Sequence, residues 1–161
     1  MYRRFVDKKL QTALAEARVV LLQGARETGK STLLQQLAAQ RGGQYLSLDD
    51  PATAGLAGSD PWALAQGAGV FMAIDEVQHA PGLLPAIARL ADADGRPGRF
   101  LLAGSANVFI QPGLTESLAG RTQILPLHPL SQGELARDEI NLVDALFGAL
   151  PWQAGAQALD R

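Results

Sequence analysis

Two glycines, a lysine and a hydroxyl residue stand at fixed spacing in GARETGKS, residues Gly24 to Ser31. The stretch satisfies the pattern G-x-x-x-x-G-K-[ST] in full. Each residue type there has a chemical reason. Glycines let the backbone turn so that successive N–H groups point inward at phosphate oxygens, and a following helix adds the partial positive charge of its N-terminus. Lys30 is a mobile cation able to reach β- and γ-phosphates, and the Ser31 hydroxyl can ligate Mg2+. Ala25, Arg26, Glu27, Thr28 and Gly29 fill the rest of the loop, and Thr32 follows it; together with Gly24 they form the candidate nucleotide-contacting set.

A second group of acids complements this loop. MAIDE, residues 72–76, places Asp75 at the end of an apolar run, the edge at which open α/β sheets bind ligands. Asp75 would hold Mg2+ through water and complete the metal site with Ser31. Glu76 would orient or deprotonate a water attacking a terminal phosphate. A small-molecule kinase needs the strand-end aspartate but has no use for a water-activating glutamate beside it, so the pair points to transfer to water. A nucleotide-binding switch without turnover and a small-molecule phosphotransferase are the alternatives. LLAGSAN, residues 101–107, offers Ser105, and less well Asn107, to a γ-phosphate or to the attacking water. SLAGR, 117–121, puts Arg121 at the start of a strand, and a guanidinium suits a transition state whose charge spreads over phosphoryl oxygens. His79 and His128 sit in proline-flanked loops without metal-ligand spacing and take no role. Asp49 and Asp50 read as a strand terminator and a helix cap.

The elements that must position these residues alternate along the chain. Residues 3–16 carry Phe5, Leu10, Ala13, Leu14 and Ala17 at or near helical spacing. ARVVLLQ (17–23) is a continuous apolar run of buried-strand type, and Leu33, Leu34, Leu37 and Ala38 mark a helix stopped by Gly42-Gly43. QYLSLDD (44–50) reads as a second strand. Asp50-Pro51 and Asp60-Pro61 each look like an N-cap with proline at the first helical position. GVFMAID (69–75), RFLLAG (99–104) and RTQILPL (121–127) read as further strands. A helix over 83–91 lies between the first two of these, and another around 114–119 precedes the last. Ser131 and Glu134 have capping-box spacing. Strand–helix alternation of this kind predicts an α/β fold with a mainly parallel sheet covered on both faces.

Composition removes several classes. The chain has 161 residues, 47% of them hydrophobic, which suits one globular domain and not a disordered chain. Without any cysteine it has no disulfides, thiolate metal sites or thiol catalysis. Fourteen basic against sixteen acidic residues, net charge −2, give no electrostatic reason for a nucleic-acid partner. No apolar run approaches the roughly 18–20 residues of a membrane span. A soluble, cytoplasmic domain is the expectation.

The series VVLLQGARETGKSTLLQQL, YLSLDDP, AIDEVQ, RFLLAGSANV and ESLAGR resembles a prokaryotic family of AAA-type ATP-binding proteins. In that family an N-terminal ATPase core is joined to a C-terminal domain of unknown function. The likeness runs from about residue 4 to residue 136. It implies Mg-ATP as ligand, slow hydrolysis to ADP and phosphate, GARETGKS as the Walker A loop and Asp75-Glu76 as the Walker B pair. It also implies that Ser105 holds the first sensor position. Arg121 falls where AAA-type proteins often carry an arginine finger, which would act in trans on a neighbouring subunit of a homo-oligomer. A protein or nucleic-acid client would then receive the work of hydrolysis. The implied fold is a three-layer α/β/α sandwich with strand order 5-1-4-3-2. Family members continue well beyond this length, so residues 1–127 would be the core and 128–161 the truncated start of a helical C-terminal region.

Overall fold

In the computed structural model, which describes residues 3–67, 69–105 and 118–136, five short strands form one parallel sheet. They are β1 (Val19–Gln23), β2 (Gln44–Ser47), β3 (Met72–Asp75), β4 (Phe100–Gly104) and β5 (Thr122–Pro126). Their spatial order is β2-β3-β4-β1-β5, which is the order that the family resemblance implies. The register is continuous through the centre: Val19 lies opposite Phe100 on one side and Thr122 on the other, and Met72 opposite Phe100. All five strands therefore end at the same edge of the sheet.

Alternation along these strands explains the three layers. Val20, Leu22, Ala73, Leu101 and Ala103 face helices α1 (Val6–Glu16) and α2 (Lys30–Gln40), whose Leu10, Leu14, Leu34 and Leu37 close that core. Val19, Leu21, Met72, Ile74, Phe100 and Leu102 face the other way. There they pack on α3 (Pro51–Ser59), α4 (Pro61–Gln66) and α5 (Leu83–Asp94), through Ala57, Ala65, Leu83, Leu84 and Ile87. A parallel strand buried on both faces must read as an unbroken apolar run, and β1 and β4 do so. Each fully buried leucine contributes about 1.5–3 kcal/mol, and together these contacts fix the sheet edge that carries the polar loops.

The helix starts follow the capping chemistry of their sequences. Asp50 accepts the Thr53 N–H and Asp60 the Ala63 N–H, both at 2.9 Å, with proline next in each helix. The apolar strand runs are trimmed by their partners: 17–23 becomes Val19–Gln23, 44–50 becomes Gln44–Ser47, and 69–75 becomes Met72–Asp75. Ala17 is lost to β1 because its N–H closes the end of α1 on Ala13.

The chain divides into two compact units, one of them Phe5–Pro129. Of the other, the structure describes Arg3, Arg4 and the segment 130–136, with helix α6 (Gln132–Ala136). Its start is the reciprocal cap expected from the sequence. The Ser131 Oγ accepts the Glu134 N–H at 3.2 Å, and Glu134 Oε2 accepts the Ser131 N–H at 2.8 Å. Asn107 and most of the helix expected around 114–119 lie outside the described residues. Among the described residues no helix is long and apolar enough to cross a membrane.

Candidate functional site

The loop Gly24–Ser31 leaves the end of β1 and runs directly into α2. Two features of its backbone depend on glycine. At Gly24 an added Cβ would stand 2.5 Å from the Leu127 carbonyl oxygen and 2.8 Å from Thr28 Oγ1, so no side chain fits. Gly29 sits at φ 91°, the left-handed region, and opens α2 without a capping side chain. The first-turn N–H groups of α2 are thus left as donors, at the positive end of the helix dipole. Glu27 is also left-handed, at φ 63°, a conformation that costs a non-glycine residue roughly 1–2 kcal/mol.

Lys30 is buried against this loop. Its ammonium donates to the carbonyls of Gly24 at 3.1 Å and Ala25 at 2.8 Å. An ammonium has three N–H donors, so one is left for a further acceptor. Thr28 Oγ1 donates to the Ala25 carbonyl at 3.0 Å and helps hold the turn. Ser31 and Thr32 are exposed on the first turn of α2.

Asp75 ends β3 and is only 2% exposed. A buried carboxylate must be hydrogen-bonded, and this one is. Its Oδ1 accepts the Glu76 N–H at 3.0 Å, and its Oδ2 accepts the Tyr45 hydroxyl at 3.2 Å. Burial raises the Tyr45 phenol above its ordinary range, and the neighbouring Asp75 carboxylate adds to the rise. Glu76 takes up a left-handed φ of 54° before the 3-10 turn Val77–His79. That turn folds Gln78 back, and its Nε2 donates to Glu76 Oε2.

The loop and Glu76 meet at one cleft of about 540 Å3, lined by Arg26, Glu27, Gly29, Lys30, Ser31, Thr32, Asp49, Glu76 and His79, while Asp75 is buried behind Glu76 and does not line it. Ser105 directly follows β4, the strand between β1 and β3, at this same edge. The Gly104 carbonyl there accepts the Gly24 N–H at 3.3 Å.

Arg121 is not brought to this cleft. It precedes β5, whose Thr122 lies opposite Val19 at the start of β1. The length of β1, about 16 Å, therefore separates it from the phosphate loop. Its Nε donates to both carboxylate oxygens of Asp92 at 2.8 Å, and Arg18 Nη1 reaches Asp92 Oδ1 at 3.0 Å. The Arg121 hydrogen bond, then its charge, holds the Asp92 carboxyl below the usual carboxylate range.

A family model described as an AAA domain matches residues 16–136. The chain belongs to the AAA domain family. Two uncharacterized proteins, from Mycobacterium bovis and Mycobacterium tuberculosis, are each 35% identical to it over 129 residues, which is 80% of this chain. The chain spans 29% of the length of those relatives. Among solved structures it is similar to the P-loop NTPase domain of the sigma-54 transport activator from E. coli. That match has a TM-score of 0.50 and 20% identity, and covers 77% of this chain and 92% of the other, a likeness of fold.

In this AAA domain four polar residues at the site, Asp49, His79, Tyr45 and Gln78, have no site role in the sequence pattern. Asp49 and His79 line the cleft, with His79 Nδ1 and Asp49 Oδ1 3.1 Å apart. Tyr45 and Gln78 hold the two acids. Asp49 carried a usable signal, since it follows β2 at the ligand-binding edge. Tyr45 and Gln78 carried none, because their contacts arise only from cross-strand register and from a one-turn reversal.

Proposed function

We propose that this AAA domain binds Mg-ATP at the Gly24–Ser31 loop and hydrolyses it slowly to ADP and phosphate. One observation carries the reading. A glycine-shaped loop with a buried lysine follows β1, and a carboxylate base candidate that follows β3 opens on the same cleft. Family membership supports nucleotide binding in general.

The donor set suits magnesium. Among the described residues no cluster of three or more His, Asp or Glu could hold a metal unaided. Mg2+ does not need one, because it uses one or two protein oxygens, waters and the phosphates themselves. Ser31 would supply such an oxygen, and Asp75 would hold the ion through one of its waters. Bound there, Mg2+ would neutralise charge on the β- and γ-phosphates.

The chain's own residues perform the rest. First-turn amides of α2 and Lys30 hold the β- and γ-phosphate oxygens. Gln78 fixes one oxygen of the Glu76 carboxylate, and the other takes a proton from water as its oxygen bonds to the γ-phosphorus. The bond from that phosphorus to the bridging oxygen breaks, and its electron pair leaves with ADP. Ser105, following the intervening strand, is the further polar group for the γ-phosphate or the water.

Phosphate release compared between wild type and Glu76→Gln tests the reading. An amide cannot accept the proton, so the rate should fall at least about 100-fold while nucleotide binding persists. Equal rates would overturn Glu76 as the base. Binding without release in the wild type would favour a non-hydrolysing switch.

A further inference from the structure

Tyr45 stands in the middle of β2 and belongs to none of the phosphate-contacting elements. Its register is informative. Tyr45 lies opposite Ala73, and Ser47 opposite Asp75. By the two-residue alternation of strands, Tyr45, Ser47, Ala73 and Asp75 all point to the face covered by α2, and Tyr45 and Ala73 both pack in that core. Tyr45 and Asp75 are therefore a diagonal cross-strand pair, with Cα atoms roughly 7–8 Å apart. Only a long side chain ending in a donor can close that gap. The phenol does so, its O–H donating a hydrogen bond to Asp75 Oδ2 at 3.2 Å.

The same side chain meets α2. Its ring packs in the core that Leu33, Leu34 and Leu37 of that helix close. That helix opens with Lys30 and Ser31. One tyrosine thus links β2, the end of β3 and the helix that follows the phosphate loop. The other anchor of Asp75 is the Glu76 N–H, a bond within its own turn, which cannot set the carboxylate relative to α2.

We propose that Tyr45 is a positioning residue, whose hydroxyl orients the Asp75 carboxylate toward Ser31 and so sets the site's affinity for a divalent cation. The inference rests on the reading of the cleft as a Mg-nucleotide site. A partner that orients a metal-binding carboxylate without touching the metal typically changes metal affinity by about 10–100-fold when removed.

The test is Tyr45→Phe, which keeps the ring and deletes only the hydroxyl. The β,γ-imido analogue of ATP is titrated by calorimetry with EDTA present, and then Mn2+ is titrated into the protein–analogue complex by electron paramagnetic resonance. The expected result is unchanged metal-free analogue affinity and Mn2+ binding weakened about 10-fold or more. A merely structural tyrosine would weaken both together or neither, and either result overturns the proposal. Lys30→Ala separates the two levels of the argument. If Lys30→Ala leaves analogue binding intact, the nucleotide reading of the cleft fails. If it abolishes binding while Tyr45→Phe keeps wild-type Mn2+ affinity, only the Tyr45 proposal fails.

Discussion

Adding one methyl group at Gly24 should damage both stability and nucleotide binding, by an amount the packing around it sets. The new Cβ would meet the Leu127 carbonyl oxygen at 2.5 Å, where side-chain carbons keep to 3.0 Å or more, so roughly half an ångström must be found. Neither side can give it freely. Leu127 is tied to β1, its N–H donating to the Gln23 carbonyl at 2.6 Å, and the Gly24 N–H donates to Gly104 at 3.3 Å. Thr28 Oγ1, the second obstacle at 2.8 Å, is itself bonded to the Ala25 carbonyl. Overpacking of this kind costs about 1–3 kcal/mol. For a unit of this size each kcal/mol lowers Tm by about 3–5 °C, so Gly24→Ala should melt roughly 3–15 °C below wild type. The displacement falls on the loop that Lys30 caps, and Mg-ATP affinity should drop about tenfold or more. Calorimetric melting and titration of the two proteins measure both numbers. A wild-type Tm together with wild-type affinity would refute the packing argument.

Other substitutions probe separate parts of the account. Glu27→Gly releases a left-handed residue, worth about 1–2 kcal/mol, against about 0.4–1 kcal/mol of added freedom in the unfolded chain. It should therefore raise Tm by a few degrees, and an unchanged or lower value would show that the loop bears no strain there. Arg121→Ala should leave Mg-ATP affinity unchanged and should lower stability in a pH-dependent way. Because Arg121 depresses the Asp92 pKa, the pair's contribution is fully present above the ordinary aspartate value of about 3.9 and disappears as pH falls through the depressed value. The Tm gap between the two proteins should be widest near neutrality and close toward pH 2; a constant gap would contradict this. Specific activity over a hundredfold dilution completes the test of Arg121. A rise with concentration that Arg121→Ala removes would assign it a role on a second copy of the chain.

Local chemistry was legible in the residues themselves. Apolar runs gave the strands, Asp-Pro pairs gave the starts of α3 and α4, and Ser131 with Glu134 gave the cap of α6. Strand order was not, since it depends on which distant runs pair; it came from the family likeness alone. The site divides in the same way. Gly24, Asp75 and Ser105 each stand at or just beyond the end of a strand, and in a parallel sheet that rule carries them to one edge. Arg121 precedes its strand, and the same rule carries it to the other edge, beside Arg18 and Asp92. Tyr45 lies in a strand that the sequence shows, but its hydroxyl gained a partner only through the diagonal step to Asp75. His79 lacked ligand spacing in the sequence, and Asp49, thirty residues earlier, became its neighbour only when β2 and β3 paired.

Calorimetric titration of Mg-ATP into wild type and Lys30→Ala tests the central claim most directly. The Lys30 ammonium is 4% exposed, and a charge pair some 4 Å apart in such a setting is worth about 4 kcal/mol. Its removal should therefore weaken binding by roughly 100- to 1000-fold. Saturable binding by wild type and near-complete loss in Lys30→Ala is the predicted result. Equal affinity in the two proteins, or no binding by wild type, would contradict a nucleotide site at this loop.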